Sequence, residues 1–290
     1  RVKAPMKGDS KISWETFMSE TTSTLKGLNG KSIVLLTQSI PSPSTHKLIA
    51  EFKAKYGNVT HVAYDAVSES ATLDAYQAKY GRRGMANYDF SKAKTIVSIG
   101  ADFLGDWQGG GFDSGYAAKR IPDHGKMSRH IQFESNMSLT GANADKRVPL
   151  TPSQQKLVLA KLYSEVTGNS AGGVKLTEGL DAAVKAAAKE LSLAGRNGVV
   201  VTGVQDVNAQ TTVLEINAYL RSAAFDPSTT INTRQGSDKA VSQLVADMKA
   251  GKVGAIIMDG VNPVYTLPNA SDFKEGLAKT ELSVAFSMKQ

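Results

Sequence analysis

The 290-residue chain contains no cysteine. That absence excludes disulfide bonds from this stretch, and with them every iron–sulfur cluster held by thiolates. Long apolar runs are missing as well: no window reaches the roughly 18 consecutive apolar residues of a membrane-crossing helix, so no direct membrane span is expected. Cations are in mild excess, 34 Lys and Arg against 27 Asp and Glu for a formal charge of +7. They are scattered along helical stretches and never interleaved with aromatics, which argues against a nucleic-acid partner. Histidine is scarce, and His46, His61, His124 and His130 show neither HxxxH nor any other paired-ligand spacing. No Gly-x-Ser-x-Gly elbow occurs. Gly168 to Lys175 brushes against a phosphate-binding loop, but its lysine does not directly follow the second glycine and no buried strand precedes it. Gly109, Gly110 and Gly111 lack the GxGxxG register and fit a surface loop.

What the chain does have is a repeated α/β pattern. Its length exceeds a usual single core and argues for two lobes. Residues 10–27 place Ile12, Phe17 and Leu25 on one side of a helix ending at Gly27. Residues 33–39 (IVLLTQS) are a continuous apolar run, the pattern of a strand covered on both faces. A helix over 44–56, a strand over 59–64, a helix over 70–80 and a strand over 95–99 follow, and Gly100 turns the chain sharply. The second half repeats this order. Helices carrying Leu159, Leu162, Tyr163 and Val166, then Leu180, Val184, Ala187 and Leu191, lead to strands at 199–202, 230–233 and 255–258. The intervening helix stripes are Val213, Ile216, Leu220 and Val241, Leu244, Val245, Met248, and the last strand again ends in a glycine, Gly260. The expected fold is therefore α/β, with two Rossmann-like parallel-sheet lobes related by an internal pseudo-repeat.

Between the halves lies Met127 to Pro152, a strand at Ile131 and Phe133 that opens into a polar run, then Thr151, Pro152 and Gln154 as a helix start. This stretch is expected to be the hinge, with a first lobe over 28–150 and a second built from 1–27 and 151–290. Ligands of open parallel sheets bind beyond the carboxyl ends of strands. That directs attention to Gly100-Ala101-Asp102-Phe103 and Gly260-Val261-Asn262-Pro263, where an Asx residue two places after the glycine can cap a turn or bond a ligand. The chain opens on Arg1 without a charged-then-apolar leader and closes on a strand-like LSVAFSMKQ, so a segment of something longer is expected.

The phrases TIVSIGADFLGDW (95–107) and FESNMSLTGANADKRVPLTP (133–152) resemble the molybdopterin-oxidoreductase-like subunit of alternative complex III, a bacterial quinol-oxidising respiratory complex. The resemblance implies that Gly-x-Asn-Pro loops hold the guanosine ends of pterin dinucleotides, a pattern matched by Gly260, Asn262 and Pro263 and departed from at Gly100, where Asp102 and Phe103 follow. It places the family's metal-ligating position near Ser68, Glu69 and Ser70, which also read as an ordinary helix N-terminus. It further implies iron–sulfur clusters elsewhere in the parent chain, an empty molybdopterin site, other subunits of a membrane-bound complex as partners, and the periplasmic face of the inner membrane as location. The expected role is a cofactor-free scaffold and docking lobe pair, inactive as an isolated segment. Two alternatives stay open: an active molybdopterin oxidoreductase fragment binding a pterin guanine dinucleotide, and a two-lobed small-ligand-binding protein.

Overall fold

A computed structural model describes residues 2–122 and 126–287; His124 lies outside the described residues. The chain folds as two compact units, Arg1–Ser68 with Gln235–Gln290, and Glu69–Arg234.

The first unit opens with two short strands, β1 (Met6–Lys7) and β2 (Ser10–Lys11), then α1 (Trp14–Lys26), β3 (Ser32–Thr37), α2 (Pro43–Tyr56) and β4 (Val59–Ala63). The chain then enters the second unit with α3 (Ser70–Tyr80), β5 (Met85–Tyr88), β6 (Thr95–Ile99), α4 (Asp113–Ala117), β7 (Arg129–Glu134), α5 (Leu139–Ala142), β8 (Lys146–Pro149), α6 (Pro152–Thr167), α7 (Glu178–Ala194), β9 (Gly198–Thr202), α8 (Val207–Leu220) and β10 (Phe225–Ile231). It returns to the first unit for α9 (Asp238–Lys249), β11 (Val253–Asp259), α10 (Pro263–Thr266), α11 (Ala270–Leu277) and β12 (Leu282–Phe286).

Each unit is built on a four-stranded parallel sheet, ordered β12-β11-β3-β4 in the first and β8-β7-β6-β9 in the second. In the first, the apolar run of β3 feeds both faces. Val34 and Leu36 pack with Val241, Leu244, Val245 and Met248 of α9 and with Phe273 of α11, while Ile33 packs with Leu25, Leu28 and Ala255. In the second, Val97, Ile99, Ile131, Phe133 and Val200 meet the stripes of α6, α7 and α8. The opposite face of that sheet is aromatic: Ile96, Val199 and Val201 lie against Tyr76, Tyr88, Phe90, Phe103, Trp107, Phe112, Tyr116 and Phe225.

Local signals hold closely. Pro152 opens α6 and the Thr151 N–H donates to Gln154 Oε1 at 2.8 Å. α3 and the strand at 95–99 have their expected bounds. The helix expected from residue 10 starts at Trp14, because Ser13 caps it by accepting from the Thr16 N–H, and residues 10–11 pair as a strand instead.

The expected lobe boundaries, 28–150 against 1–27 with 151–290, do not match this division. The strands at 33–39 and 59–64 lie in the first unit and the strand at 95–99 in the second; those at 199–202 and 255–258 are likewise separated. The segment around 230–233 is not in a parallel sheet at all: β10 pairs antiparallel with β5, with a register shift between Asp226 and Thr230. A continuous apolar run dictates burial on both faces but carries no information about which strand lies beside it. Nor is Met127–Pro152 a hinge, since it lies wholly within the second unit.

Candidate functional site

The loops that leave β6 and β11 begin with the same backbone device. Gly100 and Gly260 both have φ +68°, a left-handed conformation that strains any side chain. Crowding adds to this at Gly100, where a Cβ would lie 3.2 Å from the Gln155 amide. Gly203, at the end of the neighbouring β9, comes closer still: a Cβ there would lie 2.1 Å from the Gly100 carbonyl oxygen. The requirement at Gly203 is one of space and not of φ, so no turn signal in the sequence marks it.

After Gly100 the chain turns inward. Asp102 Oδ1 accepts from the Thr140 N–H at 2.9 Å and its hydroxyl at 2.7 Å, and Thr140 Oγ1 accepts from the Leu104 N–H at 2.9 Å. Gly105 makes room for this carboxylate, since its Cβ would lie 2.4 Å from Asp102 Oδ2. Phe103 is fully buried, with ring centres 4.5 Å from Phe90, 5.2 Å from His130 and 5.5 Å from Tyr116. Trp107 lies between Tyr88 and Phe112, and its Nε1–H donates to the Thr202 carbonyl at 3.2 Å. Asp102 Oδ1 and the Phe103 and Trp107 rings are thus engaged within the protein, while Asp102 as a whole is half-buried.

The same loop rests on a buried polar row along β7. His130, Gln132 and Glu134 alternate on one face, at 0%, 0% and 3% exposure. Gln132 spends its Nε2 on Glu134 Oε2 (3.2 Å) and the Ala101 carbonyl (3.4 Å), so its Oε1 is an acceptor and His130 Nε2, 3.2 Å away, is the donor. Tyr116 OH lies 3.2 Å from His130 Nδ1 and 2.9 Å from the Asn143 carbonyl. Burial in this apolar and aromatic setting pushes His130 down to about 4, so it is neutral at pH 7. Burial pushes Glu134 upward, but the Ser138 hydroxyl (2.6 Å) and N–H, Arg147 Nε (2.5 Å) and Gln132 outweigh it, and the carboxyl sits below its ordinary value. Gly141 leaves the space Glu134 occupies, since its Cβ would fall 1.8 Å from Oε1. Asp145 holds both terminal nitrogens of Arg120, at 2.8 and 2.9 Å, and accepts the His130 N–H at 2.7 Å. The polar side chains on one face of β7 thus form, with Ser138, Asp145 and Arg147 from the run that follows, a network in which their burial is compensated bond by bond.

After Gly260 the chain stays outside. Asn262 caps α10, accepting from the Tyr265 N–H, with Pro263 as its first helical residue. Asn262 is exposed and Pro263 buried. Tyr265 is 85% exposed, and Tyr64 OH donates to Thr266 Oγ1 at 2.6 Å to tie α10 down.

Ser68, Glu69 and Ser70, expected near a metal-ligating position, bond to side chains of the protein. Ser68 Oγ donates to the Asp238 carboxylate at 2.9 Å, and Ser70 begins α3 with its hydroxyl toward Asp74. Glu69, raised chiefly by burial, accepts from Gln205 Nε2 (2.6 Å) and Thr72 (3.0 Å). Among the described residues no group of three His, Asp or Glu could hold a metal ion. His46 and His61, 15 positions apart in the sequence, do meet with ring centres 6.3 Å apart, but His46 Nε2 is engaged by the Ile40 carbonyl and His61 Nε2 by Thr37 Oγ1. Gly168 to Lys175 connects α6 to α7 and follows no strand, so no phosphate loop forms.

No family model matches this sequence. The chain is distantly related to the menaquinone reductase, molybdopterin-binding-like subunit, of Nitratidesulfovibrio vulgaris (strain Hildenborough), at 23% identity over 99% of this chain and 48% of that protein. It therefore spans about half the length of the curated relative it matches. In fold it is similar to a chain of the formyltransferase/hydrolase complex of Methylorubrum extorquens, solved with methylofuran. The TM-score is 0.62 at 14% identity, covering 99% of this chain and 82% of that one.

Proposed function

We propose that this chain is the cofactor-free scaffold and docking part of a molybdopterin-oxidoreductase-like subunit in a quinone-linked respiratory complex of the alternative complex III type, at the periplasmic face of a bacterial inner membrane. The relative's name supplies the menaquinone link and the molybdopterin-like ancestry, and the phrases at 95–107 and 133–152 supply the resemblance to alternative complex III. One observation carries the cofactor-free reading: the loop after Gly100 directs Asp102 into Thr140 and Phe103 into the aromatic core. With Asp102 Oδ1 held by Thr140 and the neighbouring space filled by Phe103, this reading leaves no pterin dinucleotide at that loop. Electron transfer then belongs to clusters in a cysteine-containing part of the parent chain or its partner subunits, and the 290 residues alone oxidise no quinol.

The exposed Asn262 favours a second reading, in which a single dinucleotide is retained at the Gly260 loop. Both are decided by purifying the assembled complex from cells grown with molybdate and quantifying molybdenum and pterin against the subunit. The proposal expects both far below stoichiometric amounts. One pterin per chain overturns it in favour of the retained site, and the absence of quinone-linked partner subunits from the purified assembly removes the respiratory assignment.

A further inference from the structure

Sheet edges that face water are normally blunted by charge, proline or a covering element. In the second unit the outer strand β8 reads Lys146-Arg147-Val148-Pro149, two cations and a proline in four residues. The outer strand β12 of the first unit carries neither of these in its own sequence. Leu282-Ser283-Val284-Ala285-Phe286 contains no charge or proline, and it pairs with β11 in unbroken parallel register. Among the described residues no strand lies on its other side.

Next to that edge is a groove of about 540 Å³ lined by Val2 to Met6, Trp14, Phe17 and Ser283 to Ser287. Its apolar lining continues along α1. Trp14, Phe17, Met18, Thr21 and Leu25 recur at helical spacing, yet only Leu25 is buried, and Trp14 and Met18 are 61% and 58% exposed. With Phe286 at 56% exposure, this is a contiguous apolar surface beside an open strand, the combination that receives an added strand.

We infer that the β12 edge and the Trp14 groove receive an extended apolar segment of the same polypeptide, from outside these 290 residues, that adds to the sheet beside β12. The inference rests on the reading of this chain as part of a longer subunit. The relative of which it covers 48% has a further half from which such a segment can come. Supply within one chain also suits such an edge: a tethered segment is present at high effective concentration, whereas an edge left for a separate partner invites aggregation until that partner arrives. Main-chain hydrogen bonds would hold the segment, and its alternate side chains would fill the groove against Trp14 and Phe17.

The test uses the full-length protein carrying a single new thiol at Ala285→Cys, on the exposed edge of β12, or at Leu193→Cys, 78% exposed on α7. Maleimide labelling at each site is followed by peptide mass spectrometry. Labelling at residue 285 should be at least about 10-fold slower than at 193. Adding Trp14→Glu or, as a second variant, Met18→Glu should remove most of that difference while the labelling at 193 stays unchanged. Equal rates at the two sites overturn the inference, as does protection that survives both groove variants. Protection that appears only with dimer formation in light scattering assigns the edge to a second copy and overturns it as well. None of these outcomes depends on pterin content or subunit composition, which test the functional reading separately.

Discussion

The loops after β6 and β11 share a left-handed glycine at φ +68° and an Asx residue two places on, yet one is sealed and the other open. At Gly100 the Asx carboxylate is held by Thr140 and the next residue, Phe103, is fully buried. At Gly260 the Asx amide caps a four-residue helix on the surface and Tyr265 projects into solvent. The glycine fixes only the direction in which the chain leaves the strand. Whether a binding surface survives there depends on the side chains that follow and on what they find to bond.

The comparison breaks most readily at Gly203. Gly203→Ala puts a Cβ against the Gly100 carbonyl, a backbone atom that cannot rotate away, and should cost more than about 4 kcal/mol. The corresponding insult at the open loop, Gly260→Ala, meets the flexible Gln38 side chain and strained φ, and should cost about 1–2 kcal/mol. Urea unfolding followed through Trp107 for the first variant and Trp14 for the second measures both, because the two tryptophans lie one in each unit. Similar costs would show that the loops are not differently packed.

Phe103→Ala should remove about 3–5 kcal/mol by leaving a cavity among Phe90, Tyr116 and His130. Its counterpart Pro263→Ala, which removes a favourable first helical residue, should cost about 1 kcal/mol or less. A Phe103→Ala protein that melts within error of the parent would mean that the ring does not fill the loop.

The buried row beneath the sealed loop gives a pH signature. His130 titrates near 6.5 when unfolded and at about 4 when folded, so between those values the unfolded chain binds more protons and stability rises with pH. Its full contribution, about 3 kcal/mol by linkage, is present above pH 6.5 and lost as pH falls toward 4. Urea midpoints read at Trp107 should fall across that window, and His130→Gln should flatten the fall. A parent and variant with parallel pH profiles would show that His130 is not held neutral. A similarly small effect belongs to the open loop: Asn262→Ala loses a cap on an exposed short helix, about 1 kcal/mol, read at Trp14.

Much of this was written locally. The apolar run of β3, the stripes of α6 to α9, the Thr151-Pro152-Gln154 helix start and the two left-handed glycines follow from periodicity, capping and backbone sterics, all of which act over a few residues. Sequence also singled out Gly100, Asp102, Gly260, Asn262 and Pro263 as candidate site residues. What it could not give was partnership. The strands at 59–64 and 95–99, expected within one lobe, lie in different sheets, because hydrophobic runs specify burial and not neighbours. The strand at Ile131 and Phe133 was legible, but the polar run that follows it shows no partners when each residue is judged alone. Only the tertiary structure brings Glu134, Ser138, Gly141 and Arg147 together, so that each hydrogen bond offsets the burial of the next. The contrast between a sealed and an open loop was likewise tertiary: Thr140, 38 residues from Asp102, decides where that carboxylate points.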